Sequence, residues 1–229
     1  MTQRLTTIFD ELFPDSSPEF ASISDAWPKQ VIVEMFTLVW DAFDRLTRLP
    51  NFKQLDFSKS YAQLERSLTQ LHAMQVTDLY AERRSGFESY VPQHEPWEFE
   101  NLTDPRARPP ASDIGFVFRA NPRLCWSVEA KVLRKPTETG RYLGDLEKYL
   151  HATISPFATD GALGAYLLSG KPDDLLSAIE SALQLPLQTY DAFVNRPHRF
   201  TEHDRIRSKL PEGAETHFVC HHLVFSLLQ

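Results

Sequence analysis

The sequence predicts a mixed α/β sandwich, a β-sheet covered by helices, on three observations. Apolar residues recur at helical spacing through most of the first eighty positions. From about residue 84 the pattern changes to short apolar runs, some with a period of two, separated by turn chemistry. After residue 60 the elements then read helix, three strands, helix, strand, helix, strand. At 229 residues the chain is long enough for one domain with a sizeable core. We expect a single domain, with residues 1–57 as a helical N-terminal extension packed on a core of residues 58–229.

The elements follow in order. An acidic, proline-interrupted lead is followed by Pro28 at a first helical position, and Ile32, Phe36, Val39, Phe43 and Leu46 then repeat along one helix face. Residues 51–58 read as a connector. Ser60 to Gln63 has the S-x-x-Q form of a capping box, and Leu64, Leu68 and Leu71 continue one face of a second helix of about five turns. A strand is expected over 87–91, then a proline-rich polar loop over 92–110 that holds Trp97, Glu98, Phe99 and Glu100. Strands over 114–119 and 124–133 flank Ala120, Asn121, Pro122 and Arg123, which is turn chemistry. Thr139 caps a helix over 140–152. An apolar strand over 162–169, a helix after Asp173 and Asp174, a loop-rich stretch over 186–213 and a final strand over 216–228 complete the chain.

Composition excludes several functions. No apolar run approaches the roughly 20 residues of a membrane span. Residues 1–10 lack the basic-then-apolar order of a secretory signal, so a cytoplasmic location is expected. The two cysteines, Cys125 and Cys220, fit a reducing compartment and supply no disulfide framework. Eight glycines provide neither a dinucleotide fingerprint nor a P-loop. Net charge −7 argues against non-specific coating of nucleic acid. Between residues 105 and 141, however, eight basic residues meet three acids, a local balance of +5 that leaves −12 elsewhere.

Chemistry concentrates in that basic stretch. On the strand over 124–133, Leu124, Trp126, Val128, Ala130 and Val132 share an apolar face, while Ser127, Glu129 and Lys131 share the other. Asp113 opens the preceding strand. With a three-residue loop at 121–123, Ala120 opposes Leu124, Asp113 opposes Lys131 and Gly115 opposes Glu129, which gathers the three polar groups on one patch. Two close carboxylates on a rigid sheet are best stabilised by an oxygen-liganded cation, Mg²⁺ or Mn²⁺. A neighbouring lysine can orient the attacking water, help hold it as hydroxide, or offset charge on the phosphorane-like transition state. The local positive balance would hold a polyanion nearby.

Asp113, with Glu129-Ala130-Lys131 after fifteen intervening positions, resembles the PD-(D/E)XK nuclease superfamily, which includes many restriction endonucleases. The likeness covers roughly residues 60–169 and departs from the pattern at Ser112, where the proline of the name would stand. It implies a restriction-endonuclease-like mixed sheet flanked by helices. It also implies metal held by Asp113, Glu129 and the backbone carbonyl of Ala130, with Lys131 as catalytic base or electrostatic stabiliser. The following helix would offer Arg141, Asp145 or Lys148, and an acid from the first helix or its following loop, Glu65, Glu82 or Glu98, sometimes joins such a site. Arg119 and Arg134 are further candidates for binding substrate. The expected function is an Mg²⁺-dependent nuclease of a restriction or anti-phage defence type, acting on DNA rather than RNA. A partner protein or a second copy would supply part of the grip, because the chain as a whole is acidic. The alternatives are a non-catalytic scaffold subunit that keeps the fold, and an RNA-directed nuclease.

One other cluster, His217, Cys220, His221 and His222, suggests zinc. Alternation sends its members to opposite faces of a strand, so we expect no four-ligand site there.

Overall fold

The computed structural model describes residues 27–50, 52–83, 88–96, 111–122, 124–211 and 214–227. Helix α1 spans Lys29–Arg48 and places Arg45 and Arg48 in its last turn, where the helix dipole favours cations. Helix α2, Tyr61–Arg83, follows a 3₁₀ turn at Phe52–Gln54. The capping box is half realised: the Gln63 N–H donates to Ser60 Oγ at 3.4 Å, while the Ser60 hydroxyl donates to Gln63 Oε1 at 3.1 Å.

Seven strands form one mixed sheet in the order β1-β2-β3-β4-β7-β6-β5. They are β1 Tyr90–His94, β2 Ile114–Phe118, β3 Cys125–Leu133, β4 Asp160–Leu167, β5 Gln188–Thr189, β6 His198–Asp204 and β7 His217–Ser226. β3, β4 and β7 are mutually parallel, whereas β1, β2, β6 and β5 add antiparallel ladders at the two sides. Two short helices, α3 (Thr139–Leu143) and α4 (Leu146–Leu150), carry the crossover between parallel β3 and β4. Helix α5, Pro172–Leu183, begins with Pro172, Asp173 and Asp174, all suited to a helix start. The architecture is therefore a mixed α/β sandwich with helices on both faces of the sheet.

Each sheet face has its own apolar layer. Met35, Phe36, Val39 and Trp40 of α1, with Leu64, Leu68 and Val76 of α2, pack on Trp126, Val128, Ala130 and Val132 of β3 and on Leu223 and Phe225 of β7. The other face packs Leu163, Ala165, Phe218 and Val224 against Tyr142, Leu146, Tyr149, Leu175 and Ile179 of α3, α4 and α5. No helix among the described residues is long and apolar enough to cross a membrane.

Several expectations need correction. The first strand lies three residues later than expected and contains Pro92; β1 is an edge strand, where proline is tolerated. The loop-rich stretch over 186–213 also holds two strands that the sequence reading does not give, β5 and β6. β6 escaped recognition because its buried positions, His198 and Thr201, are polar and gain partners only in the sheet: His221 for the first and His222 for the second. The helix expected over 140–152 breaks at Gly144 and Asp145, where Asp145 donates its N–H to Tyr142 three residues back and turns its carboxylate elsewhere. The β2–β3 register also differs by two residues, with Ile114 opposite Val128 and Gly115 opposite Ser127. The Phe118 N–H bonds to the Leu124 carbonyl, so the connection spans five residues, 119–123. A shift of two preserves which side chains share a face, whereas a shift of one would have reversed it.

Candidate active site

Unequal strand lengths create the site. β2 has five residues and β3 has nine, and the ladder between them begins at Ile114 opposite Val128. Beyond that pair, no strand among the described residues lies beside the edge of β3. Two carboxylates take over its free donors: the Ala130 N–H donates to Asp113 Oδ2 at 2.7 Å and the Val132 N–H to Glu65 Oε2 at 3.4 Å. Both backbone groups of a strand residue point to the same neighbour, so the Ala130 carbonyl opens onto this edge too. Lys131 Nζ lies 3.4 Å from that carbonyl. Gly115 makes room for the chain leaving β1, because a Cβ there would stand 2.2 Å from Pro96 Cγ.

From this edge a chain of alternating charges runs to the helix face. Lys131 Nζ lies 2.8 Å from Glu65 Oε1 and 2.9 Å from Asp145 Oδ2. Lys148 Nζ lies 3.0 Å from Asp145 Oδ1 and 2.5 Å from Glu129 Oε2. Arg141 closes the outer side, 3.6 Å from Glu65 Oε2 and over the Tyr61 ring at 4.3 Å. Four carboxylates, Asp113, Glu129, Glu65 and Asp145, thus face three cations, Lys131, Lys148 and Arg141.

Burial sets the electrostatics. Glu129 is only 2% exposed, and burial together with the Asp113 charge pushes its carboxyl up to about 8 despite the opposing Lys148 ammonium. Burial also raises Asp113, against the hydrogen bond from the Ala130 N–H. Burial alone would lower Lys131, but the Glu65 and Asp145 carboxylates outweigh it and hold the amine above the ordinary lysine range. Lys131 is consequently a fixed cation at neutral pH. Its side chain is 17% exposed and that of Lys148 is 38% exposed, so solvent reaches the chain from the helix side.

The fit of a divalent cation rests on the donors present. Glu129 Oε1 is buried with no hydrogen-bond partner among the described residues, an acceptor that costs free energy until something positive meets it. Once a divalent ion displaces the Glu129 proton, the four carboxylates would outnumber the three cations, and the Ala130 carbonyl adds a neutral oxygen on the open edge. Hard oxygen donors of this kind suit Mg²⁺ or Mn²⁺. Among the described residues no three acidic, histidine or cysteine side chains converge on one point. The fit is therefore to two carboxylates and a carbonyl.

Of the residues expected from sequence, Asp113, Glu129, Ala130, Lys131, Arg141 and Lys148 come together. Arg119 does not: at the far end of β2 it donates to Tyr80 Oη at 2.8 Å and to the Tyr90 carbonyl at 3.4 Å. Arg134 holds the connector before α2 through the Phe57 and Lys59 carbonyls. Glu98 lies outside the described residues. Of the acids offered by α2, Glu65 joins the site and Glu82 pairs with Arg45 instead. Glu65 and Asp145 are the two whose importance exceeds their sequence signal. Glu65 follows Leu64 on a helix whose Leu64 and Leu68 must face the sheet, and Asp145 stands three residues before Lys148 at a helix break. The histidines near the C-terminus separate as expected, with His221 against Phe36 on one face and His222 bonded to Tyr142 on the other.

No family model, curated protein or solved structure matches this chain.

Proposed function

We propose that the protein is a metal-dependent nuclease of restriction-endonuclease-like fold, cleaving phosphodiester bonds in DNA. The observation that carries this reading is the meeting of Asp113, just before β2, and Glu129 of β3 with Lys131 and the Ala130 carbonyl at the edge of β3 beyond the β2 ladder. Asp113, Glu129 and that carbonyl would hold Mg²⁺ or Mn²⁺. The ion, when bound, supplies neutralisation of the phosphodiester and polarisation of a P–O bond.

The remaining work falls to side chains of the chain. Lys131, kept charged by Glu65 and Asp145, is an electrostatic stabiliser rather than a base, offsetting the negative charge on the phosphoryl oxygens of the phosphorane-like transition state as the bond to the attacking water oxygen forms and the bond to the leaving oxygen breaks. Glu65 and Asp145 fix the position of its ammonium, so that no reorganisation is needed when charge develops. Lys148 and Arg141, both partly exposed, border the site on its solvent side and suit a backbone phosphate. The basic stretch contributes less free charge than its composition suggests, because Arg119 and Arg134 serve the fold. A partner protein or second copy would therefore still be needed for firm binding.

Plasmid nicking with Mg²⁺ or Mn²⁺, comparing wild type with Glu129→Ala and Lys131→Ala, tests the reading. Loss of nicking in both variants is expected, on the order of 10²-fold or more for removal of an electrostatic group. Activity indifferent to both substitutions would rule the assignment out. One observation favours a second reading: both lysines are already neutralised by carboxylates, as in a structural ion-pair chain. A non-catalytic scaffold would show neither nicking nor metal binding, and an RNA-directed enzyme would cleave only RNA in the same assay.

A further inference from the structure

We infer that a second site, on the opposite face of the sheet, binds the base of a nucleotide. It stands independently of phosphodiester cleavage. His221 pairs with Ala162 and Ala162 with Val128, whose side chain belongs to the α1-covered face, whereas Glu129 lies on the other face.

The site is a cavity of about 340 Å³ between the start of α1 and strands β4, β7 and β6. That volume falls within the range of about 300–1,000 Å³ typical of small-molecule pockets. Its walls include the rings of Trp27, Tyr190 and Phe200, and His221, Asp160 and Lys29 supply polar groups. Rings of this kind favour a flat, aromatic occupant.

The polar groups are unusually well defined. The Trp40 indole N–H donates to His198 Nδ1 at 3.4 Å, and His198 Nε2 meets His221 Nδ1 at 3.0 Å. His221 Nε2 then lies 3.4 Å from Asp160 Oδ1. Indole can only donate, so in neutral imidazoles every proton in the relay points one way and Asp160 is its terminal acceptor. Burial keeps both imidazoles neutral. The Thr159 hydroxyl donates to Asp160 Oδ2 at 2.8 Å. The carboxylate is thereby oriented, with acceptor capacity to spare.

Trp27 is the converse. It is 4% exposed and its indole N–H has no acceptor among the described residues. An oriented carboxylate and an unanswered N–H, set among aromatic rings, complement a heterocycle that presents N–H donors beside an acceptor. A nucleobase has that edge. Guanine matches best, because its adjacent N1–H and N2–H groups can both donate to one carboxylate while O6 or N7 accepts from the indole. Lys29 then meets the phosphate. It occupies the first turn of α1, a position that favours anions and normally acids, and no acid is present in that turn.

Calorimetric titration of the full chain in EDTA tests this with 5′-GMP, AMP, CMP, UMP and guanosine. We expect GMP to bind most tightly. Trp27→Phe, which keeps the ring and deletes the donor, should weaken binding about fivefold, the worth of one hydrogen bond. Lys29→Ala should weaken GMP and leave guanosine unchanged. Asp160→Asn should erase the preference for guanine. A single-stranded trinucleotide containing one dG identifies the source: affinity equal to or above that of GMP marks a base presented by a strand, and lower affinity marks a free nucleotide. Absence of binding for every probe up to about 1 mM, or affinities that all variants with wild-type melting temperatures leave unchanged, would overturn the inference. Trp27→Phe and the exposed Lys29→Ala carry the test even if Asp160→Asn misfolds.

Discussion

Replacing Glu129 by glutamine should stabilise the metal-free protein, and by more as pH rises. The carboxyl is fully buried and titrates at about 8 in the fold, against 4.5 for the unfolded chain. The sign follows from linkage. A carboxyl whose folded value lies above its unfolded one costs nothing below about pH 4.5, and the cost grows until pH passes 8. With 1.36 kcal/mol per unit, the penalty is about 1 kcal/mol at pH 5 and about 3 kcal/mol at pH 7. Glutamine carries no charge at either pH, and any fixed cost of the amide beside Lys148 cancels in the comparison. The stability gap between variant and wild type should therefore widen by roughly 2 kcal/mol between pH 5 and pH 7, or roughly 4–8 °C in melting temperature for a chain of this size. Urea or thermal melts in EDTA measure it. Added Mg²⁺ should narrow the gap by raising the wild type alone. A gap that stays constant with pH, or narrows as pH rises, would refute the claim that Glu129 is a desolvated, strained acid.

Two other perturbations address the fold. His72 is fully buried, with Nδ1 at 2.9 Å from Tyr166 Oη and Nε2 at 2.8 Å from the Val39 carbonyl, and burial lowers it to about 4. The folded state thus refuses a proton that the unfolded chain accepts, so stability should fall as pH drops from about 6.5 toward 4, by about 2 kcal/mol at pH 5 from this residue. His72→Phe should show a shallower acid dependence in urea melts, and an unchanged slope would contradict the assignment. At Gly161, an added Cβ would stand 2.5 Å from Tyr149 Cε1 and 3.0 Å from Phe218 Cζ. Tyr149 cannot easily yield, because its hydroxyl donates to the carbonyls of Ser127 or Ala162 at 2.9 and 3.0 Å. Gly161→Ala should cost about 1–3 kcal/mol by overpacking, and a wild-type urea midpoint would show the ring to be mobile.

Much of the fold was legible because apolar periodicity is a local signal. The alternation along β3 assigns Trp126, Val128 and Val132 to one face and Glu129 and Lys131 to the other, and the structure keeps that division. Where local signals were absent, the reading failed. β6 buries His198 and Thr201 rather than aliphatic residues, and polar groups become buriable only when β7 supplies partners.

The sequence by itself determined which side chains share a face of β3, since a strand alternates whatever lies beside it. Tertiary structure decided everything that depends on where neighbouring elements stop. The end of β2 at Ile114 leaves the Ala130 and Val132 N–H groups open, and only then do Asp113 and the helix-borne Glu65 gain a reason to approach. It also decided the state of the charges. Glu129 and Lys131 are an ordinary acid and an ordinary base in the chain, and the dry space between β3 and α4 lifts the one while the carboxylates of Glu65 and Asp145 hold the other charged.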